Sequence, residues 1–119
     1  MLWLSTSYMV KYYMEARHSK RVIINFPAEI ICRDKRYAGS IENLSPKGAY
    51  VLTAPVRDLR DFAANSLLEL RFQFPSGEKL NLHCRIKWSY VTPPHGYTYS
   101  IGVEILDAPL TYLETLKAL

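Results

Sequence analysis

The chain has 119 residues, 49% of them apolar, 13% aromatic and 22% charged, and carries a net charge of +4. That is material for one packed domain and excludes a disordered or low-complexity chain. The charge is unevenly placed: residues 1–48 hold eight basic and four acidic side chains and residues 49–119 hold seven of each, so the whole excess lies in the first 48 positions.

The first segment, residues 1–14, is apolar and aromatic, and Leu4, Tyr8 and Tyr12 with Met9 and Tyr13 follow helical spacing. Ser5, Thr6 and Ser7 interrupt it, no basic stretch precedes it, and no small-residue cleavage pattern follows, so it is read as a linker or short helix rather than a secretion signal. Next comes a basic arm, Arg17-His18-Ser19-Lys20-Arg21. Its RxxxR spacing is expected about 0.5 times by chance with eight arginines, so alone it reads as a solvated linker.

From Val22 the apolar period is two, the signature of half-buried strands. Segments 22–33 and 36–44 read as strands joined by a short charged turn, and 49–53 as a third. A fourth places Leu68, Leu70, Phe72 and Phe74 on one face, and Pro75-Ser76-Gly77 turns the chain into a fifth. Along 80–90, Leu80, Leu82, Cys84, Ile86, Trp88 and Tyr90 share the face predicted to be buried, opposite Asn81, His83, Arg85, Lys87 and Ser89. Tyr97, Tyr99, Ile101, Val103 and Ile105 define the sixth. A terminal helix is expected after Asp107 as cap and Pro109 in the first turn, with Leu110, Leu113 and Leu116 on one face. Six strands without a βαβ rhythm predict a mainly β fold, a six-stranded antiparallel barrel closed so that no edge is exposed, with a C-terminal helix.

Catalytic chemistry finds little support. His18 sits among cations, His83 on the solvent face of a strand and His95 in a Pro-rich turn. Cys32 and Cys84 share parity with core residues and read as small buried apolar groups. Two cysteines without CxxC or histidines at ligand spacing build neither a disulfide framework nor a zinc site, which fits a reduced, cytoplasmic protein with no cofactor or metal. The longest apolar runs are a few residues, far below the roughly 18 that span a bilayer, so no membrane span is expected.

A binding site is better supported. Asn43-Leu44-Ser45-Pro46-Lys47-Gly48 matches [DN]xSxxG, for which about 0.02 chance matches are expected. Ser45 to Gly48 alone would suit a type I turn. Asn43 two residues earlier is not required by a turn, and with Ser45 and Gly48 it forms a small polar platform. Arginine forks above it suit phosphate oxygens and the O6/N7 edge of guanine.

With RxxxR and NxSxxG in this order on a six-strand pattern, followed by a strand ending in Trp88, the Ile101-Gly102-Val103-Glu104-Ile105 strand and a terminal helix, the chain resembles PilZ domains, bacterial receptors for cyclic di-GMP. The resemblance covers roughly residues 15–119. It implies that Arg17 and Arg21 grip phosphate and guanine, that Asn43 and Ser45 bond to guanine and phosphate, and that Gly48 permits close approach, with Lys20 and Lys47 peripheral. It also implies a non-enzymatic role in motility, biofilm or polysaccharide regulation, in which a dianionic ligand orders the arm against the barrel. The reader of that change would be an effector protein, a covalently linked domain or a second copy of the chain. Two positions depart from the common pattern. Ala16 stands where some members have a further arginine, which bears on whether one or two ligands bind, and Asn43 stands where many have Asp. Three other readings stay open: a PilZ-like barrel acting only as a protein-interaction module, a small basic barrel binding single-stranded nucleic acid, and, least supported, an enzyme. The nine tyrosines favour the second, and the core parity of Trp88, Tyr90, Tyr97 and Tyr99 counts against it. No DNA binding is expected.

Overall fold

In the computed structural model, residues 21–56, 62–92 and 98–119 are described. The expectations placed on residues 1–14, on Arg17, His18 and Lys20, and on His95 and Tyr97 lie outside them.

Six strands, β1 (Val22–Cys32), β2 (Lys35–Leu44), β3 (Gly48–Thr53), β4 (Leu67–Gln73), β5 (Lys79–Thr92) and β6 (Thr98–Leu106), precede one helix, α1 (Leu110–Lys117). All pairings are antiparallel and the order β1-β2-β3-β6-β5-β4 closes on itself. The expected barrel is thus present, with each of the six strands hydrogen-bonded to a neighbour on both sides over at least part of its length. The β1–β2 turn is two residues long, with Arg33 and Asp34 both at positive φ (55° and 64°). That backbone twist matches the twist of the strands it joins. At the β4–β5 turn Gly77 takes φ 96°, where a side chain would be strained, and its N–H donates to the Phe74 carbonyl at 2.8 Å.

The inward row Ile30, Ile41, Leu44, Val51, Leu70, Leu82, Ile86 and Ile101 is essentially dry. Aromatic clusters close both ends. Phe62 packs on Tyr37 and Tyr99, with ring centroids 5.0 and 4.8 Å away. At the other end Phe74 packs on Phe26, Phe72 and Tyr112 of α1. Cys32 and Cys84 are buried in the core as thiols, not joined in a disulfide, and burial pushes the Cys84 thiol up to about 12. No helix among the described residues is long and apolar enough to cross a membrane.

Three sequence expectations fail. The inward face predicted for β5 holds from Leu80 to Ile86 and then reverses, because the β5–β6 register slips between Ile86 and Trp88. One extra residue at Lys87 puts Trp88 and Tyr90 outside, 41% and 57% exposed, and leaves Ser89 facing inward, its hydroxyl donating to the Phe62 carbonyl. In α1 the anchoring face is Tyr112 and Leu116, four residues apart, while Leu110 is 68% exposed. Asp107 does not cap the helix; it turns at φ 49°, and Pro109 occupies the cap position without a side-chain bond.

Candidate functional site

The Asn43–Gly48 turn lies at the α1 end of the barrel. Pro46 and Gly48 suit a tight connection, and Ser45 closes it with its own side chain. The Gly48 N–H donates to Ser45 Oγ at 3.0 Å, the Ser45 N–H donates to the Gly48 carbonyl at 2.9 Å, and the Ser45 hydroxyl reaches the same carbonyl at 3.2 Å. Ser45 is 2% exposed. Its hydroxyl therefore builds the turn that carries the site. Two further bonds tie the turn down: the Ile105 N–H donates to the Lys47 carbonyl at 2.8 Å, and the Tyr112 hydroxyl donates to the Ser45 carbonyl at 2.6 Å. Burial raises the Tyr112 hydroxyl well above the usual phenol range, helped by the nearby Cys84 thiol and opposed by the charge of Arg21. It is a proton donor across the neutral range.

Asn43 reaches the surface because β2 bulges. Ile41 pairs with Val51 and Asn43 with Tyr50, so Glu42 is an extra residue, its carboxylate accepting a bond from the Ser40 hydroxyl at 2.7 Å. Strict alternation from Ile41 would have sent Asn43 inward. The bulge sends Leu44 into the core instead and leaves Asn43 half-buried on the outer face. There Arg21, just ahead of β1, donates from Nη1 to Asn43 Oδ1 at 2.7 Å. The guanidinium also lies over Gly48, since a Cβ built on that glycine would sit 3.7 Å from Arg21 Nη2 and 3.8 Å from Ser45 Oγ. The same Cβ would stand 3.0 Å from the Val103 carbonyl, so the absent side chain serves strand packing as well as the approach of Arg21.

Of the residues expected to form the site, Arg21, Asn43, Ser45 and Gly48 are brought together, and Lys47 is exposed on the turn beside them. Arg17 and Lys20 fall outside the described residues. The bond from Arg21 goes to a neutral amide, so this partner leaves the cationic charge uncompensated. A cation held beside a glycine-lined backbone is suited to an anionic ligand with planar, hydrogen-bonding parts.

An aromatic row that the sequence pattern does not reveal runs beside Asn43. Asn43 pairs with Tyr50, Tyr50 with Gly102 and Gly102 with Trp88, one row running outward across β2, β3, β6 and β5. Tyr50 and Trp88 have ring centroids 5.8 Å apart, and Trp88 stacks on Tyr90 at 5.5 Å and 15°. The indole lies over Gly102, where a Cβ would collide with it. A glycine inside the β6 pattern was the available signal, because a mid-strand glycine often marks another group in close approach.

A family model described as the PilZ domain matches residues 15–119. No match was found among curated proteins. Among solved structures, the chain resembles "PilZ domain with c-di-GMP of YcgR from Escherichia coli" with a TM-score of 0.67 and 10% identity, covering 85% of this chain and 86% of that one. The Bacillus subtilis inhibitor of motility (MotI/DgrA) gives 0.65 at 14% identity, covering 84% of this chain and 46% of the other. The K. pneumonia MrkH complex with c-di-GMP gives 0.64 at 15%, covering 86% and 51%. The chain thus spans about half the length of several of the proteins it resembles.

Proposed function

The chain belongs to the PilZ domain family, and from that membership we propose that it is a receptor for cyclic di-GMP that binds the dinucleotide between Arg21 and the Asn43–Gly48 turn. The observation that carries the reading is the Arg21 guanidinium seated against half-buried Asn43 and over the side-chain-free Gly48, a cation beside a hydrogen-bonding amide where a phosphate and a guanine edge can both be met. Residues 15–119 are the receptor domain in this proposal. Arg17 completes the grip from the arm, and Lys20 and Lys47 add peripheral positive charge.

The domain works by binding, not by catalysis. A dianion joining the arm to the turn neutralises the local positive charge and favours the joined state, and an effector protein, a linked domain or a second copy of the chain reads that state. The buried thiols Cys32 and Cys84, neither in a disulfide, are in keeping with a reducing cytoplasmic setting. Motility, biofilm and polysaccharide control are the outputs proposed for it.

Titration calorimetry on the full chain tests the reading. Cyclic di-GMP should bind, binding should weaken with added salt, and Arg21→Ala should lower affinity by about tenfold to a hundredfold, the value of a hydrogen bond to a charged group. Wild-type protein that shows no heat and no melting shift at millimolar ligand would refute it and leave an interaction module. A second reading gains from one observation: Trp88 and Tyr90 are stacked and exposed, as a platform for single-stranded nucleic acid would be. Competition between cyclic di-GMP and an unstructured oligonucleotide separates the two.

A further inference from the structure

Resting on the receptor reading, we propose that the base seated against Asn43 is not read at its 2-amino group, so that this site accepts hypoxanthine in place of guanine. The argument begins with the bond from Arg21 Nη1 to Asn43 Oδ1 at 2.7 Å. A guanidinium has only donors, so the atom facing it must be the amide oxygen, and the orientation of the Asn43 side chain is fixed by chemistry. An amide has a single oxygen with two lone pairs and two N–H donors. Arg21 occupies one lone pair. What Asn43 can still offer a ligand is at most one acceptor position and its two donors.

Guanine presents donors on one edge, N1–H together with the 2-amino group, and acceptors on the other, O6 with N7. The donor edge needs two acceptor positions side by side. A carboxylate at position 43 would supply them, keeping one oxygen for Arg21 and turning the other to the base. The amide cannot, and the remaining N–H groups of Arg21 and Asn43 face a donor edge unfavourably. Both present donors instead to an acceptor edge, which O6 and N7 provide. Hypoxanthine keeps O6 and N7 and lacks only the 2-amino group. Asn43 is half-buried at the surface, Ser45 has its hydroxyl turned into the backbone of Gly48, and Gly48 has no side chain, so none of these three supplies the missing acceptor.

The test compares cyclic di-GMP with cyclic di-inosine monophosphate by calorimetry on the full chain, as wild type and as Asn43→Asp. The wild type should bind the two within about twofold, and Asn43→Asp should prefer cyclic di-GMP by about tenfold, the worth of a hydrogen bond to a charged acceptor. A wild-type preference of tenfold or more for cyclic di-GMP overturns the inference while leaving the receptor reading intact, as does an Asn43→Asp variant that shows no preference. Absence of binding by either dinucleotide to wild type overturns the receptor reading and this inference with it. The wild-type comparison needs no variant to fold.

Discussion

Replacing Tyr112 with Phe removes one oxygen from the point where α1 meets the Asn43–Gly48 turn. The side chain is fully buried, and its hydroxyl donates to the Ser45 carbonyl at 2.6 Å. Phe keeps the ring that packs 6.3 Å from Phe74, so the apolar contact survives and the loss is confined to the hydrogen bond. Ser45 is buried too, and its carbonyl is left facing a ring edge with no room for a replacement donor. A buried acceptor deprived of its partner costs about 1 to 3 kcal/mol. For a domain of this size each kcal/mol moves the midpoint by roughly 4 °C, so melting should fall by about 4 to 12 °C. Urea unfolding should show a lower midpoint at an unchanged slope, which marks a change in stability and not in the surface exposed. Affinity for cyclic di-GMP should change by less than about threefold, because the Ser45 and Gly48 bonds close the turn without help from α1. A melting shift below about 1 °C would refute the reasoning on stability, and a tenfold loss of affinity would show that α1 positions the site.

Two further predictions concern the core and the outer face. The Cys84 thiol is pushed up to about 12 by burial, against about 8.5 in an unfolded chain. Its neutral form is thus favoured by folding, and that contribution is fully present below the unfolded value and lost as pH rises from there to about 12. The slope it adds is about 1.4 kcal/mol per pH unit, read from urea midpoints at pH 8 to 10.5. Cys84→Ala should flatten that slope relative to wild type, whatever it does to stability at neutral pH, and an equal slope would contradict the assignment. On the outer face, Gly102→Ala places a methyl group inside the Trp88 indole, which is half-exposed and swings into solvent at a cost of about 1 kcal/mol. In a Trp3→Phe background the emission of Trp88 should shift to the red, and an unshifted spectrum would mean that the indole does not rest on Gly102.

Period-two runs and turn residues made the barrel legible from the chain, strand by strand, because alternation is a local property and each strand of a closed sheet must show it. The pairing of Arg21 with the Asn43–Gly48 turn was legible in another way, from residue types at fixed spacing that no turn requires. Neither kind of signal counts an extra residue. The slip at Glu42, which turns Asn43 outward and Leu44 inward, and the slip at Lys87, which exposes Trp88 and Tyr90, are set by how neighbouring strands pair. Each reverses every face beyond it; in β5 the alternation runs through the slip without a mark, whereas in β2 it breaks where polar Asn43 is followed by apolar Leu44. Tyr112 belongs with them. Helical spacing favoured the leucines of α1, yet what seats the helix is a phenol meeting the Ser45 carbonyl 67 positions away in the chain. By itself, then, the sequence determined the strands, their succession along the chain and the residue types from which the proposed site is drawn. Which of them meet on the outer face, and beside which aromatic row, was decided by the closing of the barrel, since only cross-strand register says where a side chain points.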